Sequence, residues 1–363
     1  MGRFLVTGGG TGGHIYPAIA VIDELLAQGN EVFYVGNPKN LEFEIASQKG
    51  YNFLPVKITG MPRQFGVAFI KWGFQLVAAT IKACCYLKKY KPDAIFGTGG
   101  YVSAPILLAA IKFKYPYMLH DCDAQPGMVT REFSSHAAAI SLAFESAAAF
   151  IKNKNVRING NPIRETFKTL TKEEARAGLG LENKLTVCIM GGSQGARTIN
   201  DAAVEILKEL SATNLQVIFQ TGKKNFERVL ERLIKVYPEY AGDKNLIVKP
   251  YFDDMVTVLK ASDIAVSRAG SLSLSEICAA GIAPVLIPFP HAAADHQRKN
   301  AHYLVDRGAG LYLEDADVTP QSLKELIASL TENLEEVQRN SLALAHFDGC
   351  EKIVSQLKAI ICK

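Results

Sequence analysis

Two glycine-rich turns constrain the fold of this chain more than any other feature. Gly8–Gly13 and Gly191–Gly195 each follow a short apolar run and precede the start of a helical pattern. In a β–α unit, glycines let the backbone approach an anion, and the helix N-terminus offers free N–H groups and a positive dipole end. The two turns therefore predict two nucleotide-fold domains with a cleft between them. The 363 residues suffice for two cores of roughly 150 residues each.

Short apolar runs alternate with helical patterns along the rest of the chain. The runs predicted as strands are Phe4–Thr7, Glu31–Val35, Ala94–Phe96, Tyr117–His120, Ala138–Ser141, Val156–Ile158, Leu185–Met190, Leu215–Gln220, Leu246–Lys249, Ile264–Ser267, Ala283–Ile287 and Gly310–Leu313. Helical patterns between them include Ala18–Gln28, Ala104–Lys112, Thr198–Leu210, Asn225–Val236 and Leu272–Ala280. This order predicts an α/β fold of two Rossmann-like domains, with parallel sheets covered on both faces.

The turn-forming run Gly160-Asn161-Pro162 is the predicted linker. We expect one domain over residues 1–160 and a second over residues 161–340. The last helical pattern, Cys350–Ile361, is expected to pack back onto the first domain as part of residues 341–363.

Composition narrows the functional classes. The seven cysteines form no CxxC pair and their number is odd, so we expect a reduced, cytosolic compartment and no zinc site. HxxxH and HExxH patterns are absent, which predicts that no metal takes part. Glycines interrupt the first apolar stretch within a few residues, so no signal peptide is predicted.

Charge is distributed unevenly along the chain. The segment Ile45–Pro92 contains no Asp or Glu, although lysines recur in it beside apolar and aromatic residues such as Trp72. Lys71, Gln75 and Lys82 interrupt the apolar residues, so the run is predicted to be too short to span a bilayer. The segment is either a basic surface that rests on anionic lipid or a core helix with a solvated lysine face.

The first glycine turn also matches the dinucleotide fingerprint at Gly8, Gly10 and Gly13, which is weak evidence on its own. An NAD site needs an acidic residue at the end of the second strand. The segment Tyr34–Pro38 contains none, so NAD binding is disfavoured. The turn still suits a pyrophosphate, and Pro17 is expected to mark the start of the helix.

His14 closes the same turn. Beside a helix N-terminus the cationic form of histidine is disfavoured, so we expect a neutral, basic side chain that suits a general base. The alternative is a histidine that caps the helix by bonding the backbone.

Two further segments of the first half carry polar residues. Gly97–Pro105 is a third glycine-rich turn, which either holds a second phosphate or a sugar or is an ordinary tight turn. His120–Gly127 follows another predicted strand, where polar residues usually face the ligand crevice. There, Asp121 or Asp123 would orient a hydroxyl or support His14, or else cap the next helix.

The second half offers phosphate and ribose contacts. Ser193 and Gln194 lie in the second glycine turn and can bond phosphate oxygens. A later strand is also followed by a turn of small residues and a helix. There, Ser271 and Ser273 would face phosphate. Glu276 would accept hydrogen bonds from a ribose diol, or else complement the helix dipole from the first turn.

Taken together, these segments resemble the MurG-type UDP-N-acetylglucosamine transferase family, which catalyses the last cytoplasmic step of peptidoglycan precursor synthesis. The motifs are GGTGGH, GxGGYVSxP, GNPxR, GGSQGAxxxN, a segment that ends in Ser-Glu, and DHQxxNA. They stand at Gly9–His14, Gly97–Pro105, Gly160–Arg164, Gly191–Asn200, Ser271–Glu276 and Asp295–Ala301. The series follows the family's order and spacing through nearly the whole chain. One departure is His120–Asp123, where the family often has HEQN.

The resemblance implies a GT-B glycosyltransferase fold, in which two Rossmann-like domains face each other across a cleft, and a reaction without metal or cofactor. It implies inverting transfer of GlcNAc from UDP-GlcNAc to the muramoyl C4 hydroxyl of undecaprenyl-pyrophosphoryl-MurNAc-pentapeptide. The donor would lie on the C-terminal domain, and the acceptor pyrophosphate near the first-domain turns. The protein would be peripheral on the cytoplasmic face of the cell membrane. Its partners could include other cell-wall synthesis and division proteins, but no nucleic acid.

The resemblance also assigns residues. His14 is the expected base, with Asp123 as its support or as a sugar contact. The expected substrate contacts are Thr11, Gly12, Gly13, Asp123, Arg164, Ser193, Gln194, Phe252, Ser271, Leu272, Ser273, Leu274, Ser275, Glu276, His296 and Gln297. Among them, Phe252 would flank uracil, and His296 and Gln297 would read the GlcNAc hydroxyls. The acceptor pyrophosphate is expected at Gly10, Gly13, Gly99, Gly100 and Tyr101.

Three alternatives stay open. A related GT-B enzyme could glycosylate another lipid, such as diacylglycerol. A sugar-nucleotide 2-epimerase shares the fold, but would need carboxylates placed for elimination and no lipid-facing basic stretch. A non-catalytic UDP-sugar sensor would need only the donor half, so the intact His14 and both glycine turns argue against it.

Overall fold

The computed structural model describes residues 1–62, 64–192, 194–213 and 215–361. The chain forms two compact units. The first comprises residues 1–162 and 348–363, and the second comprises residues 163–347.

The first unit is built on a parallel sheet that has seven strands within the described residues, in the order β3-β2-β1-β4-β5-β6-β7. These strands are β1 Arg3–Thr7, β2 Glu31–Gly36, β3 Asn52–Pro55, β4 Ala94–Gly97, β5 Tyr117–Asp121, β6 Ala139–Leu142 and β7 Val156–Ile158. Its helices before the linker are α1 Gly12–Ala27, α2 Leu41–Lys49, α3 Val67–Tyr90, α4 Ala104–Phe113 and α5 Met128–Phe133.

The second unit repeats the plan with six described strands in the order β10-β9-β8-β11-β12-β13, again all parallel. They are β8 Thr186–Met190, β9 Gln216–Gln220, β10 Leu246–Lys249, β11 Ile264–Ser267, β12 Ala283–Leu286 and β13 Leu311–Tyr312. The helices are α6 Thr166–Thr169, α7 Lys172–Leu179, α8 Arg197–Ala212, α9 Phe226–Val236, α10 Met255–Ala261, α11 Ser271–Ala280, α12 His296–Val305, α13 Pro320–Glu332 and α14 Leu334–Ala343.

Both sheets are buried on their two faces, which explains the continuous apolar runs in the sequence. In β1, Leu5 packs into the core on one face, whereas Phe4 and Val6 pack into the core on the other. In β8, Val187 and Cys188 divide between two cores in the same way. The α/β fold with two covered parallel sheets is confirmed.

The twelve predicted strands are all present, and one further strand within the described residues was not predicted. This is β3, which pairs only with β2 at the edge of the first sheet over the described residues. Its four residues include Asn52 and end at Pro55, which is tolerated in an edge strand. A short strand with a polar start and a proline carries too little periodicity to be predicted.

Pro17 does not mark the start of α1, which corrects the sequence-based expectation. The helix begins at Gly12, so Pro17 lies inside it and leaves the carbonyl of Gly13 without its usual helical donor. The thiol of Cys122 donates to that carbonyl at 3.3 Å. The helix can therefore start at the glycine turn and still contain the proline.

The α3 helix is longer than its interrupted apolar run suggested. By length and composition it could cross a membrane, since it has 24 residues and contains an 18-residue window with a mean hydropathy of 1.3. This corrects the prediction that the run is too short, because Lys71, Gln75 and Lys82 do not end the helix. One face nevertheless belongs to the first unit, since Ala79, Ala83 and Leu87 are buried in its core.

The last helix, α15, spans Gly349–Ala359 and belongs to the first unit. Ile353, Val354 and Leu357 pack in the same core as the β1 residues Phe4 and Val6. The chain therefore returns to the first unit after completing the second.

Candidate active site

Three turns of the first unit meet at the carboxyl edge of its sheet. They follow β1, β4 and β5, which are neighbours in the strand order. The Gly8–Gly13 turn contacts the β4 turn directly, because a Cβ at Gly8 would lie 1.9 Å from the Thr98 hydroxyl. The structure thus brings together the glycine turns that the sequence predicted to be neighbours.

His14 lies in the first turn of α1, and its ring packs on the Gly97–Pro105 turn. A Cβ at Gly99 would lie 3.3 Å from the ring, and one at Gly100 would lie 3.1 Å from it. Both glycines have positive φ angles, +86° and +74°, which other residues rarely adopt. The Nδ1 atom of His14 is buried and has no hydrogen-bond partner among the described residues.

The backbone around His14 is held by side chains of the neighbouring turns. The Thr98 hydroxyl donates to the His14 carbonyl at 2.6 Å. The Cys122 thiol fixes the preceding carbonyl, that of Gly13. These contacts fix the backbone that carries the imidazole. Within the described residues, Nδ1 forms no hydrogen bond that would cap the helix.

Asp121 organises the loop after β5. Its carboxylate accepts from the backbone N–H of Asp123 at 3.2 Å and from that of Gly127 at 3.0 Å. Burial raises the pKa of Asp121, and the charge of the neighbouring Asp123 raises it further. Asp123 is half-buried, and the Cys122 thiol lies 3.8 Å from its carboxylate. Of the two carboxylates, Asp123 is the more accessible to a ligand.

His120 lies beneath this loop in a buried polar network. Its ring nitrogens contact the Ser141 hydroxyl at 3.0 Å and the Asn161 side-chain oxygen at 3.1 Å. Asn159 bonds both Ser141 and the Gln356 side chain of α15. Burial lowers the pKa of His120 to about 4, so the ring is neutral at physiological pH.

The other residues predicted for the acceptor pyrophosphate surround the first turn. Thr11 is exposed at the start of α1, followed by Gly12 and Gly13. Gly10 has a φ of +87°, and a Cβ there would lie 2.8 Å from the Tyr101 ring. These residues lie together, and their role in binding pyrophosphate stays a prediction.

In the second unit, the turn after β8 is held by close backbone contact. A Cβ at Gly195 would lie 2.0 Å from the Thr221 carbonyl, so the turn after β9 packs directly on it. The Asn225 side chain donates to the Gln194 carbonyl at 2.9 Å. Gln194 is exposed at the N-terminus of α8, and Ser193 lies outside the described residues.

Glu276 lies in the second turn of α11, so it does not complement the helix dipole from the first turn. Its carboxylate pairs with Arg164 at 2.8 Å, with 24% of the side chain exposed. Burial raises the pKa of Glu276 and Arg164 opposes that shift. The structure thus brings together two predicted substrate contacts, Glu276 for the ribose and Arg164 for a phosphate or the sugar.

The serine-rich start of α11 divides into buried and accessible residues. Ser271 and Leu274 are buried, and the N–H of Leu274 bonds the Gly270 carbonyl at 2.9 Å. Leu272, Ser273 and Ser275 are half-buried. The Leu274 side chain is therefore part of the core, and the accessible hydroxyl groups are those of Ser273 and Ser275.

Gln297 positions two loops at once. Its side-chain oxygen accepts from the N–H groups of Ala269 at 3.2 Å and Phe289 at 2.9 Å. Asn300, from the next turn of α12, donates to the Ala269 carbonyl at 3.3 Å. His296, at the start of the same helix, contacts the Ala293 carbonyl through Nδ1 at 2.6 Å. Sequence reasoning gave Gln297 a sugar contact and missed this positioning role.

Sequence reasoning missed Arg268, which connects three elements of the second unit. It pairs with Asp315 at 2.6 Å and donates to the carbonyls of Ile287 and Pro288 and to the Thr198 hydroxyl. The first residue after a buried parallel strand is the signal that could have identified it, since such residues reach across the carboxyl edge.

Phe252 is only 6% exposed and packs in the core of the second unit. Its N–H bonds the Gln220 side chain at 2.9 Å, and Lys249 lies over its ring. Little of the ring is left to flank a uracil, and that contact stays a prediction. A cavity of about 640 Å³ near Lys260 and Gly281 lies at the opposite, amino-terminal edge of the sheet and includes none of the predicted donor residues.

Comparison with known proteins agrees with this geometry. Residues 4–142 match the glycosyltransferase family 28 N-terminal domain, and residues 186–355 match the family 28 C-terminal domain. The chain is 36% identical, over 99% of both chains, to a protein of Halalkalibacterium halodurans. That protein is named UDP-N-acetylglucosamine–N-acetylmuramyl-(pentapeptide) pyrophosphoryl-undecaprenol N-acetylglucosamine transferase.

Two further comparisons point the same way. A protein of the same name from Desulfitobacterium hafniense is 37% identical, covering 97% of this chain and 98% of its own. The crystal structure of Acinetobacter baumannii MurG superposes with a TM-score of 0.80 at 27% identity, covering 99% of this chain and 100% of its own. The resemblance inferred from the motifs, the GT-B fold and the glycosyltransferase class are confirmed. The chain belongs to glycosyltransferase family 28 and, within it, to the MurG-type N-acetylglucosamine transferases.

Proposed function

We propose that this chain transfers GlcNAc from UDP-GlcNAc to the muramoyl C4 hydroxyl of a lipid-linked MurNAc-pentapeptide, with the acceptor on the first unit and the donor on the second. The observation that carries the proposal is the pair of glycine turns, each followed by a helix with free N–H groups at its start. The names of the full-length relatives specify these two substrates.

His14 is the base in this proposal. The acceptor hydroxyl gives its proton to the imidazole as its oxygen forms a bond to the anomeric carbon. The bond from that carbon to the β-phosphate oxygen breaks, and UDP leaves with the electron pair. The packing of the ring against Gly99 and Gly100 supports this role, because it limits the positions the imidazole can take. Asp123, in the adjacent loop, would contact the sugar or support the base.

The second unit would stabilise the leaving group. N–H groups in the Gly191–Gly195 turn and at the start of α11 would take the developing charge on UDP. Glu276 would bind the ribose diol, and Arg164, already paired with it, would reach a phosphate or the sugar. A metal is not needed in this scheme, and its absence from the reaction stays a prediction.

We assign the protein to the cytoplasmic face of the membrane, with α3 as the contact. Several of its large apolar side chains are exposed along one stripe, notably Phe74 at 74%, Ile70 at 61% and Ile81 at 61%. Trp72 is less available than the sequence suggested, because its indole N–H bonds the Thr59 carbonyl at 3.0 Å. A helix fixed to a core by one face and apolar on the other suits an interfacial position.

Transfer of radiolabel from UDP-GlcNAc to a lipid-linked MurNAc-pentapeptide analogue tests the proposal. We expect butanol-extractable label with this acceptor and none with diacylglycerol. Label appearing only on diacylglycerol would make the chain a different lipid glycosyltransferase. Hydrolysis or epimerisation of UDP-GlcNAc without transfer would contradict the proposed reaction altogether.

A further inference from the structure

The carboxylate of Glu42 lies directly beneath the first glycine turn. Glu42 is in the first turn of α2 and is fully buried. A Cβ at Gly9 would lie 2.4 Å from one of its oxygens, so a side chain at this position of the turn would displace the carboxylate.

The hydrogen bonds to this carboxylate come from amide groups of two loops. One oxygen accepts from the Gly10 N–H at 3.4 Å. The other accepts from the Asn37 N–H and from the Asn40 side chain, both at 3.2 Å. Over the described residues Glu42 forms no ion pair, which is an unusual and costly state for a buried carboxylate.

Asn40 extends the contact to the Gly97–Pro105 turn. The same side-chain nitrogen that faces Glu42 also lies 3.0 Å from the Tyr101 hydroxyl. The Tyr101 ring in turn packs on Gly10, where a Cβ would lie 2.8 Å away. The carboxylate therefore connects the Gly8–Gly13 and Gly97–Pro105 turns, directly through Gly10 and indirectly through Asn40 and Tyr101.

We propose that Glu42 is a positioning residue for the acceptor. Its carboxylate sets the Gly8–Gly13 turn and the Tyr101 ring in the arrangement that binds the acceptor pyrophosphate. This inference rests on the proposed assignment of the acceptor to the first unit. Glu42 itself stays behind the turn, so it acts through the turn and does not touch the substrate.

Glutamine is the informative replacement at this position. It keeps one oxygen for Asn37 and Asn40, but places an amide N–H group against the Gly10 N–H, where two donors oppose each other. We expect E42Q to raise the KM for the lipid-linked acceptor roughly tenfold to a hundredfold, with a much smaller change in kcat. UDP affinity, which depends on the other unit, is expected to stay within twofold.

Three variants make the test decisive. Glu44→Gln changes an exposed carboxylate in the same helical turn and is the matched control. Asn40→Ala removes the hydrogen bonds of this side chain to Glu42 and to Tyr101 but keeps the buried carboxylate, so it tests the idea even if E42Q folds poorly. Gly13→Ala adds a methyl group with no contact closer than 3.8 Å, so it obstructs the proposed acceptor site without strain.

The outcomes separate the two hypotheses. A raised acceptor KM in E42Q and N40A, with E44Q unchanged, supports the role of Glu42. If only G13A raises the acceptor KM, the role of Glu42 is overturned, whereas the proposed acceptor site is still supported. An unchanged KM in every variant overturns the proposed acceptor site, and this inference with it.

Discussion

The two glycine turns that open the two units are held in place by different means. The first is held by side chains from outside its motif, namely Glu42, Thr98 and Cys122. The second is held mainly by backbone, since a Cβ at Gly222 would lie 2.3 Å from the Gly195 nitrogen. A turn held by backbone contact is specified by its own glycines, whereas a turn held by side chains depends on distant residues. The first turn is therefore the more sensitive to substitutions elsewhere.

The largest effect is expected at His14. His14→Ala should lower kcat by roughly 10²–10⁴, because the acceptor hydroxyl loses its proton acceptor. UDP affinity, measured by calorimetry, should stay close to that of the unchanged protein. His136, which is exposed on the same unit, provides the matched control as His136→Ala. If H14A kept a turnover within a few-fold of that of the unchanged protein, His14 would not be the base, and Asp123 would be the next residue to test.

The next effect concerns the stability of the first unit in acid. Burial lowers the pKa of His120 to about 4, so the unfolded chain binds a proton below about pH 6.5 that the folded chain does not. Stability should therefore fall by about 3 kcal/mol as the pH drops from 6.5 towards 4. Denaturant titrations of the unchanged protein and of His120→Gln measure this loss.

His120→Gln should be less stable at pH 7 and show a flatter pH dependence, and His136→Gln should show neither change. An unchanged slope in H120Q would mean that other groups govern acid unfolding.

How much of this could be predicted from sequence differs between the two turns. The glycines, the strands before them and the helices after them follow from local patterns, and so does the family. The roles of Glu42, Arg268 and Asn300 depend on contacts between segments far apart in the chain, which no local pattern encodes. Pro17 shows the same limit. It lies inside α1 and leaves the Gly13 carbonyl without its helical donor, and the thiol that bonds this carbonyl instead is more than one hundred positions away in the chain.

On the donor side, Glu276→Ala should weaken UDP binding by about 1–3 kcal/mol, the usual cost of leaving hydrogen-bond partners unpaired. Burial raises the pKa of Glu276 and Arg164 opposes the shift, so Arg164→Met should raise it further. In the proposed donor site the ionised carboxylate binds the ribose, so UDP affinity should then begin to fall at a higher pH as the solution is acidified.

Calorimetry between pH 5 and 8 checks this shift, with the exposed Arg339→Met on the same unit as its control. If the two variants gave pH profiles of the same shape, Arg164 would not govern the ionisation of Glu276.

The smallest effect per residue is expected along α3. Replacing Lys71, Lys82, Lys88 and Lys89 by glutamine should weaken binding to anionic vesicles by about 1 kcal/mol per lysine and make it less dependent on salt. Turnover of a short-chain soluble acceptor should change little. The four exposed lysines Lys208, Lys223, Lys235 and Lys244 of the second unit provide a control of equal charge. If both variants lost the same amount of vesicle binding, the total charge of the protein would determine that binding, and the position of the lysines on α3 would not.

The central claim is that the two turns divide the substrates between them. Hydrogen–deuterium exchange of the full chain with and without UDP measures this most directly. The account predicts slower exchange in residues 191–195 and 268–276, and unchanged exchange in residues 8–14 and 97–101. Protection of the first-unit turns by UDP, with none in the second unit, would contradict it.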